Sequence, residues 1–181
     1  MRPLWYIGPG ENAPDEINVI IEIPKGGHVK YEVDERTGML TVDRFLFTSF
    51  MYPFNYGFVP LSLAEDGDAL DAVVLCDAEL VPGSVIKVRP IGALLTKDER
   101  GRDVKVITVP TKNIDPQTSV IDDIDDLSEA TKKQIEYFFK HYKELEPGKF
   151  VEIVGWSDSK GAKEIVAKAI RSFKEKEYSE V

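Results

Sequence analysis

Asp66-Gly67-Asp68-Ala69-Leu70-Asp71 runs directly into Ala72-Val73-Val74-Leu75-Cys76. The second half is a short apolar run next to turn residues and reads as a buried β-strand. The first half places three aspartates within six residues on the loop that feeds this strand. Carboxylates this close repel one another unless a positive charge sits among them, and hard divalent cations with oxygen ligands usually supply it. Gly67 frees the backbone so that neighbouring carboxylates can point into one cleft. Asp-Gly is also a common turn dipeptide, so taken alone the segment reads as a surface turn. Its surroundings change that judgement.

Upstream, Val19-Ile20-Ile21-Glu22-Ile23 is an apolar run with one acidic residue, stopped by Pro24. Residues 29–33 alternate with period two. They lead through Asp34-Glu35-Arg36-Thr37-Gly38 into Met39-Leu40-Thr41-Val42, which predicts a hairpin. Downstream strands are predicted at 72–76, 85–89, 104–109 and 150–154, punctuated by Pro82-Gly83 and Gly101. Many short strands separated by turns point to a small closed β-barrel. The last third reads as helical. Ile135, Phe138, Phe139, Tyr142 and Leu145 recur on one helix face, with cap residues at 126–129 and a stop at Glu146-Pro147-Gly148. A second helix is predicted from about 161 to 175, burying Ile165, Val166, Ala169, Ile170 and Phe173. The expected class is α+β, mainly β: a small barrel with flanking C-terminal helices, as one domain over 1–181. Asp122-Asp123-Ile124-Asp125-Asp126 is richer in carboxylates than the opening cluster. It lacks a glycine and a following strand, and reads as helix cap and solvated linker.

The chain has 181 residues and a formal net charge of -9. That balance argues against a nucleic-acid binder, which usually carries a basic field. It suits a protein whose carboxylates are neutralised by bound metal. A single cysteine, Cys76, excludes an internal disulfide framework and reads as a small core residue. The first residues carry no signal-peptide pattern, and no apolar stretch approaches the length of a membrane span. The expectation is a cytoplasmic protein with no membrane partner.

Several charges sit inside strand-like segments. Glu22 lies in an apolar run, and Lys30 and Glu32 share one strand face. Arg44 follows a strand, and Asp98 and Asp103 bracket a loop before Lys105. Each alone reads as an outward-facing residue on a half-buried strand. Together they give many carboxylates and several cations at strand ends. Phe50-Met51-Tyr52-Pro53-Phe54-Asn55-Tyr56-Gly57-Phe58 reads mainly as core packing, though Tyr52, Asn55 and Tyr56 could present polar groups to a ligand.

These blocks, taken in order, resemble the soluble family I inorganic pyrophosphatases. Carrying the resemblance are Glu65 to Asp71, Ile21-Glu22-Ile23-Pro24, Lys30-Tyr31-Glu32, Val42-Asp43-Arg44-Phe45 and Tyr52 to Gly57. Asp98-Glu99, Asp103-Val104-Lys105 and His141-Tyr142-Lys143 continue it, so it covers about 20 to 143. Ala69 stands where the family usually has proline, which carries no ligand atom. The resemblance implies an OB-like barrel and Mg2+-dependent hydrolysis of pyrophosphate, with several ions per subunit and Mn2+ as an alternative. It implies Asp66, Asp71 and Asp103 as holders of the water-activating metals, Asp98 with Asp103 for a metal arriving with substrate, and Glu22 and Glu32 completing the acidic lining. Lys30, Arg44, Tyr56, Lys105, Tyr142 and Lys143 would contact phosphate oxygens. Tyr52 and Asn55 would stand behind them, and Asp68 would be the general base. His28 and His141 are given structural or interface roles, and Trp5 and Trp156 core or interface roles. The chain's length matches the bacterial and archaeal type, which assembles as homohexamers.

Rival readings are weaker. The aromatic stretch imitates a nucleic-acid stacking platform, but the net charge of -9 opposes it. An EF-hand fails on spacing, because glycine is second rather than sixth. A catalytically dead relative is disfavoured because every matched ligand-type position is filled.

Overall fold

Strand β1 (Ile17–Ile23) is buried at every residue because it is shared by two neighbours. It pairs antiparallel with β4 (Asn55–Phe58) on one side and with β6 (Val85–Asp98) on the other. β4 pairs with β5 (Asp71–Val74), which runs parallel to β7 (Gly101–Pro110), and β7 pairs with β6. The pairing order β1-β4-β5-β7-β6 therefore returns to β1 as a closed ring. β8 (Val151–Ser157) adds to the far part of β6, and β2 (Val29–Val33) with β3 (Leu40–Phe45) forms a separate two-stranded arm. This is the expected small OB-like barrel with helices. The computed structural model describes residues 7–34 and 37–179; Trp5, and Glu35 and Arg36 of the expected hairpin turn, lie outside them.

Strand alternation explains the two cores. Val73 and Ile107 pack with Phe54, Ile135, Phe138 and Phe139 against α1 (Glu129–His141). Their strand neighbours Ala72, Val74 and Val106 pack with Ala162, Val166 and Ala169 of α2 (Ser159–Ser179). Strands covered on both faces read as continuous apolar runs rather than as alternating ones. Among the described residues no helix is long and apolar enough to cross a membrane.

Several expectations need correction. β6 extends to Asp98, not Arg89, because Pro90 is accommodated by a register shift between Pro90 and Gly92. A proline inside a strand is tolerated at such a bulge. Asn55 to Phe58 forms β4, a strand not among those predicted. α1 stops at His141, so Leu145 leaves the helical face and is 61% exposed. The acidic run is indeed cap material, but not for α1, which Ser128 caps. Asp123 instead accepts the Ser159 backbone N–H at 2.9 Å, at the start of α2. Asp126 accepts the N–H groups of Asp122 and Asp123 at 2.9 Å each. Asp123 and Asp126 thus take the capping role expected of the run, and Asp122 pairs with Arg89 at 2.6 Å.

Candidate active site

The aspartate loop is fixed at both ends by its own polar atoms. Ser62 Oγ donates to the Val59 carbonyl at 2.6 Å and accepts the Leu70 N–H at 2.9 Å. Inside that frame the Ala64 N–H donates to the Asp68 carbonyl at 2.8 Å. Gly67 completes the turn with φ +92°, a conformation L side chains rarely adopt. Asp66 and Asp68 thus project from a short closed loop, and Asp71 from the first residue of β5.

β5 and β7 run parallel with Asp71 opposite Lys105. Asp103 and Lys105 lie two residues apart on β7 and so share a face. Lys105, 5% exposed, pairs with Asp71 and bonds Asp103 Oδ1 at 2.7 Å. Burial alone would lower the Lys105 pKa, but these two carboxylates outweigh it and hold the ammonium charged. Its Nζ also lies 5.8 Å from the Tyr56 ring centroid.

The arm supplies a second wall. Lys30 and Arg44 are paired across β2 and β3. Lys30 binds Glu32 and lies 3.4 Å from Asp43. Arg44 binds Asp43 and, at 2.9 Å, Glu146. Glu22 on β1 accepts the Val33 N–H at 2.9 Å, tying the arm to the barrel. Burial, with added repulsion from Asp71 and Glu32, pushes the Glu22 carboxyl up to about 8 despite that bond and Lys30. Asp66 is raised too, by burial and then by Asp68 and Asp71.

The β6–β7 turn supplies the third wall. Lys143 bonds Asp98 at 2.9 Å and Glu99 at 3.2 Å, and Lys149 bonds Glu99 at 2.6 Å. Burial acts to raise Glu99, but the two lysines pull it down to about 2. Burial likewise pushes the Tyr142 hydroxyl up to about 12.

These walls enclose one cavity of about 720 Å³. Every residue singled out for catalysis, metal or substrate lines it: Asp68; Lys30, Arg44, Tyr56, Lys105, Tyr142 and Lys143; Asp66, Asp71, Asp98, Asp103, Glu22 and Glu32. Tyr52 and Asn55 do not. Tyr52 is buried behind the wall, its ring 5.5 Å from Tyr56 and 6.3 Å from Tyr142. Asn55 faces elsewhere, accepting the N–H groups of Lys25 and Leu80 and donating to the Ala78 carbonyl. His28 stacks on Phe45, and His141 pairs with Glu144 at 2.7 Å, both away from the cavity. Trp156 bonds Glu136 and packs at the edge of the α1 core. Cys76 is half-buried beside Asn55, and burial raises its thiol pKa.

Sequence reading assigned no role to Arg100, Glu99, Lys149 or Asp43, which also line the cavity. Arg100 reaches across its mouth, bonding Asp68 Oδ2 at 2.6 Å and the Asp66 carbonyl at 3.2 Å. Its position in the turn between Asp98 and Gly101 was the available signal.

Among the described residues no three acidic, His or Cys side chains gather tightly enough to hold an ion by themselves. The carboxylates are spaced by ammonium and guanidinium groups instead. The donor set nevertheless fits a particular ion class. Its titratable lining contains carboxylates, lysines, arginines and tyrosines, with no histidine or cysteine. Hard oxygen donors of that kind suit Mg2+ or Mn2+ rather than soft metals.

A sequence model of the family described as inorganic pyrophosphatase matches residues 19–174. The inorganic pyrophosphatase of Sulfolobus acidocaldarius is 54% identical over 165 residues, covering 91% of this chain and 95% of that protein. That of Gluconobacter oxydans is 52% identical over 168 residues, covering 93% and 97%. The crystal structure of the Thermus thermophilus inorganic pyrophosphatase superposes with a TM-score of 0.92 at 43% identity, covering 96% of this chain and 99% of that one.

Proposed function

The chain belongs to the inorganic pyrophosphatase family, and from that premise we propose how its cavity performs the metal-assisted hydrolysis. The protein hydrolyses inorganic pyrophosphate to two phosphates. One observation carries the mechanism: cations and carboxylates from segments spread between Glu22 and Lys143 interleave on one cavity. A polyanionic substrate needs the cations, and divalent metals need the carboxylates.

Asp66, Asp71 and Asp103 would hold the metals that activate water, and Asp98 with Asp103 would serve one that accompanies the substrate. Glu22 and Glu32 would complete the acidic lining largely through water, since Mg2+ keeps part of its hydration shell. Several Mg2+ ions per subunit, or Mn2+ in their place, supply water activation and charge neutralisation when bound. Asp68 accepts the proton of the attacking water, because it sits between two ligand aspartates without being consumed as a ligand. The water oxygen bonds to one phosphorus while the bridging P–O bond breaks. Lys30, Arg44, Tyr56, Lys105, Tyr142 and Lys143 bind phosphate oxygens and stabilise charge on the leaving phosphate. Tyr52 backs Tyr56 and Tyr142, whereas Asn55 supports the turn at 76–80.

Phosphate release from pyrophosphate across a Mg2+ titration, with ATP in parallel, tests this reading. Release should require Mg2+ and be confined to pyrophosphate. Asp71→Ala should raise the Mg2+ needed for half-activation by about tenfold or more. Folded protein releasing no phosphate at any Mg2+ level would overturn the proposal, and an unchanged Mg2+ curve would remove Asp71 from the metal set.

A homohexamer is the assembly we assign. The arm exposes Val42 and Phe45, with Phe47 and Met51 close behind in sequence, each more than half accessible. Large apolar side chains left this exposed suit burial between subunits. Sedimentation should give six times the chain mass of 20.4 kDa, and a monomer would contradict the assignment. The lone cysteine and the small-molecule substrate suit the cytoplasm.

A further inference from the structure

Glu146 is a buried carboxylate with no part in the chemistry above. It is 8% exposed and lies in the turn after α1, outside the cavity lining. Its Oε1 accepts from Arg44 Nε at 2.9 Å, across a sequence separation of 102 residues. A buried carboxylate costs stability unless its charge is paired and hydrogen-bonded, and Arg44 supplies both. Arg44 is on the arm, which forms a two-stranded sheet separate from that of the barrel. Beside this pair, Thr48 Oγ1 donates to the Tyr142 carbonyl at 3.2 Å.

The guanidinium is held from two sides. Glu146 takes Nε, Asp43 takes Nη1, and among the described residues none takes Nη2. A guanidinium is planar with donors in a fixed fork. Fixing two of its nitrogens therefore fixes the direction of the third. Arg44 lines the cavity while Glu146 stands behind it.

We propose that Glu146 is a positioning residue: its buried ion pair with Arg44 locks the arm to the segment after α1 and aims Nη2 at a substrate phosphate oxygen. The inference rests on the pyrophosphatase reading. A positioning residue acts only through its partner, so the two substitutions should not compound.

The test is a double-mutant cycle with Arg44→Ala, Glu146→Ala and the pair, read as kcat/KM for pyrophosphate and as the Kd for inorganic phosphate by calorimetry. Each single change should lower kcat/KM about tenfold or more. The double variant should fall no more than about twofold below Arg44→Ala alone, and phosphate affinity should follow the same pattern. Glu146→Gln keeps the shape and an acceptor, and should lie between wild type and Glu146→Ala; it carries the test should the alanine variant fail to fold. Multiplying effects, or a Glu146→Gln enzyme of wild-type kcat/KM and phosphate affinity, would overturn the inference. A wild type that binds phosphate but releases none from pyrophosphate would sink the functional reading instead, and the phosphate Kd cycle would still decide Glu146.

Discussion

Replacing Asp68 with asparagine is expected to lower kcat by about a hundredfold or more while leaving the fold and Mg2+ binding close to wild type. The expectation follows from where this carboxylate sits. Its backbone is committed to the loop, with the carbonyl accepting from Ala64 and the N–H donating to Asp66 Oδ1. Its side chain is 61% exposed and supports no core contact, so an amide of the same shape disturbs little. An amide cannot take the proton of an attacking water, and that is the role proposed for Asp68. The partner of Asp68 also matters. Arg100, on the opposite turn, holds Oδ2 at 2.6 Å, so only part of the carboxylate is free to accept a proton in this arrangement. Single-turnover phosphate release would check the chemical step, and calorimetry with Mg2+ would check that the metal set is intact. Near-normal turnover would remove Asp68 as the base and leave the role to another cavity carboxylate.

The aspartate loop was readable because its function is local. Three ligand-type residues, a glycine with positive φ and the following buried strand occupy one continuous stretch. The chemical groups of the other walls could be read from residue type and family order, but their meeting could not. Lys143 and Asp98 are 45 residues apart, and only the β6–β7 turn and the segment after α1 bring them within 2.9 Å. Arg100 and Glu146 were missed for a related reason. A lone arginine in a turn, or a glutamate before Pro147-Gly148, looks the same as a solvated surface residue until its partner is placed. Two fold errors have distinct causes. β4 was hidden because aromatic, proline and glycine content mimics a loop. The length of β6 was hidden because Pro90 imitates a strand end, while a bulge lets the chain continue to Asp98.

Gly57→Ala should be the most damaging single methyl in the barrel. Gly57 sits in β4 opposite Ile21 of β1 and Ala72 of β5. A Cβ there would stand 1.8 Å from the Ile20 carbonyl oxygen, 2.8 Å from its carbon and 3.0 Å from Ile21 Cα. All three are backbone atoms of a strand that is itself paired on both sides, so no rotamer change relieves the clash. Relief requires β1 and β4 to separate, which breaks ladder bonds in a closed ring. Overpacking of this kind should cost about 3 kcal/mol or more. For a chain of this size that corresponds to a fall of roughly 6–12 °C in Tm, compared at equal protein concentration. Gly67→Ala is the matching control. No atom lies within 4 Å of its added Cβ, and only φ +92° opposes the change, a strain of about 1–2 kcal/mol. Scanning calorimetry of the two variants should therefore rank Gly57→Ala as the less stable. Activity should follow, because Glu22 on β1 and Tyr56 on β4 line the cavity from the two strands that would move apart. A Gly57→Ala protein with wild-type Tm and kcat/KM would contradict the close approach of β1 and β4 and, with it, the closure of the ring on which the site is built.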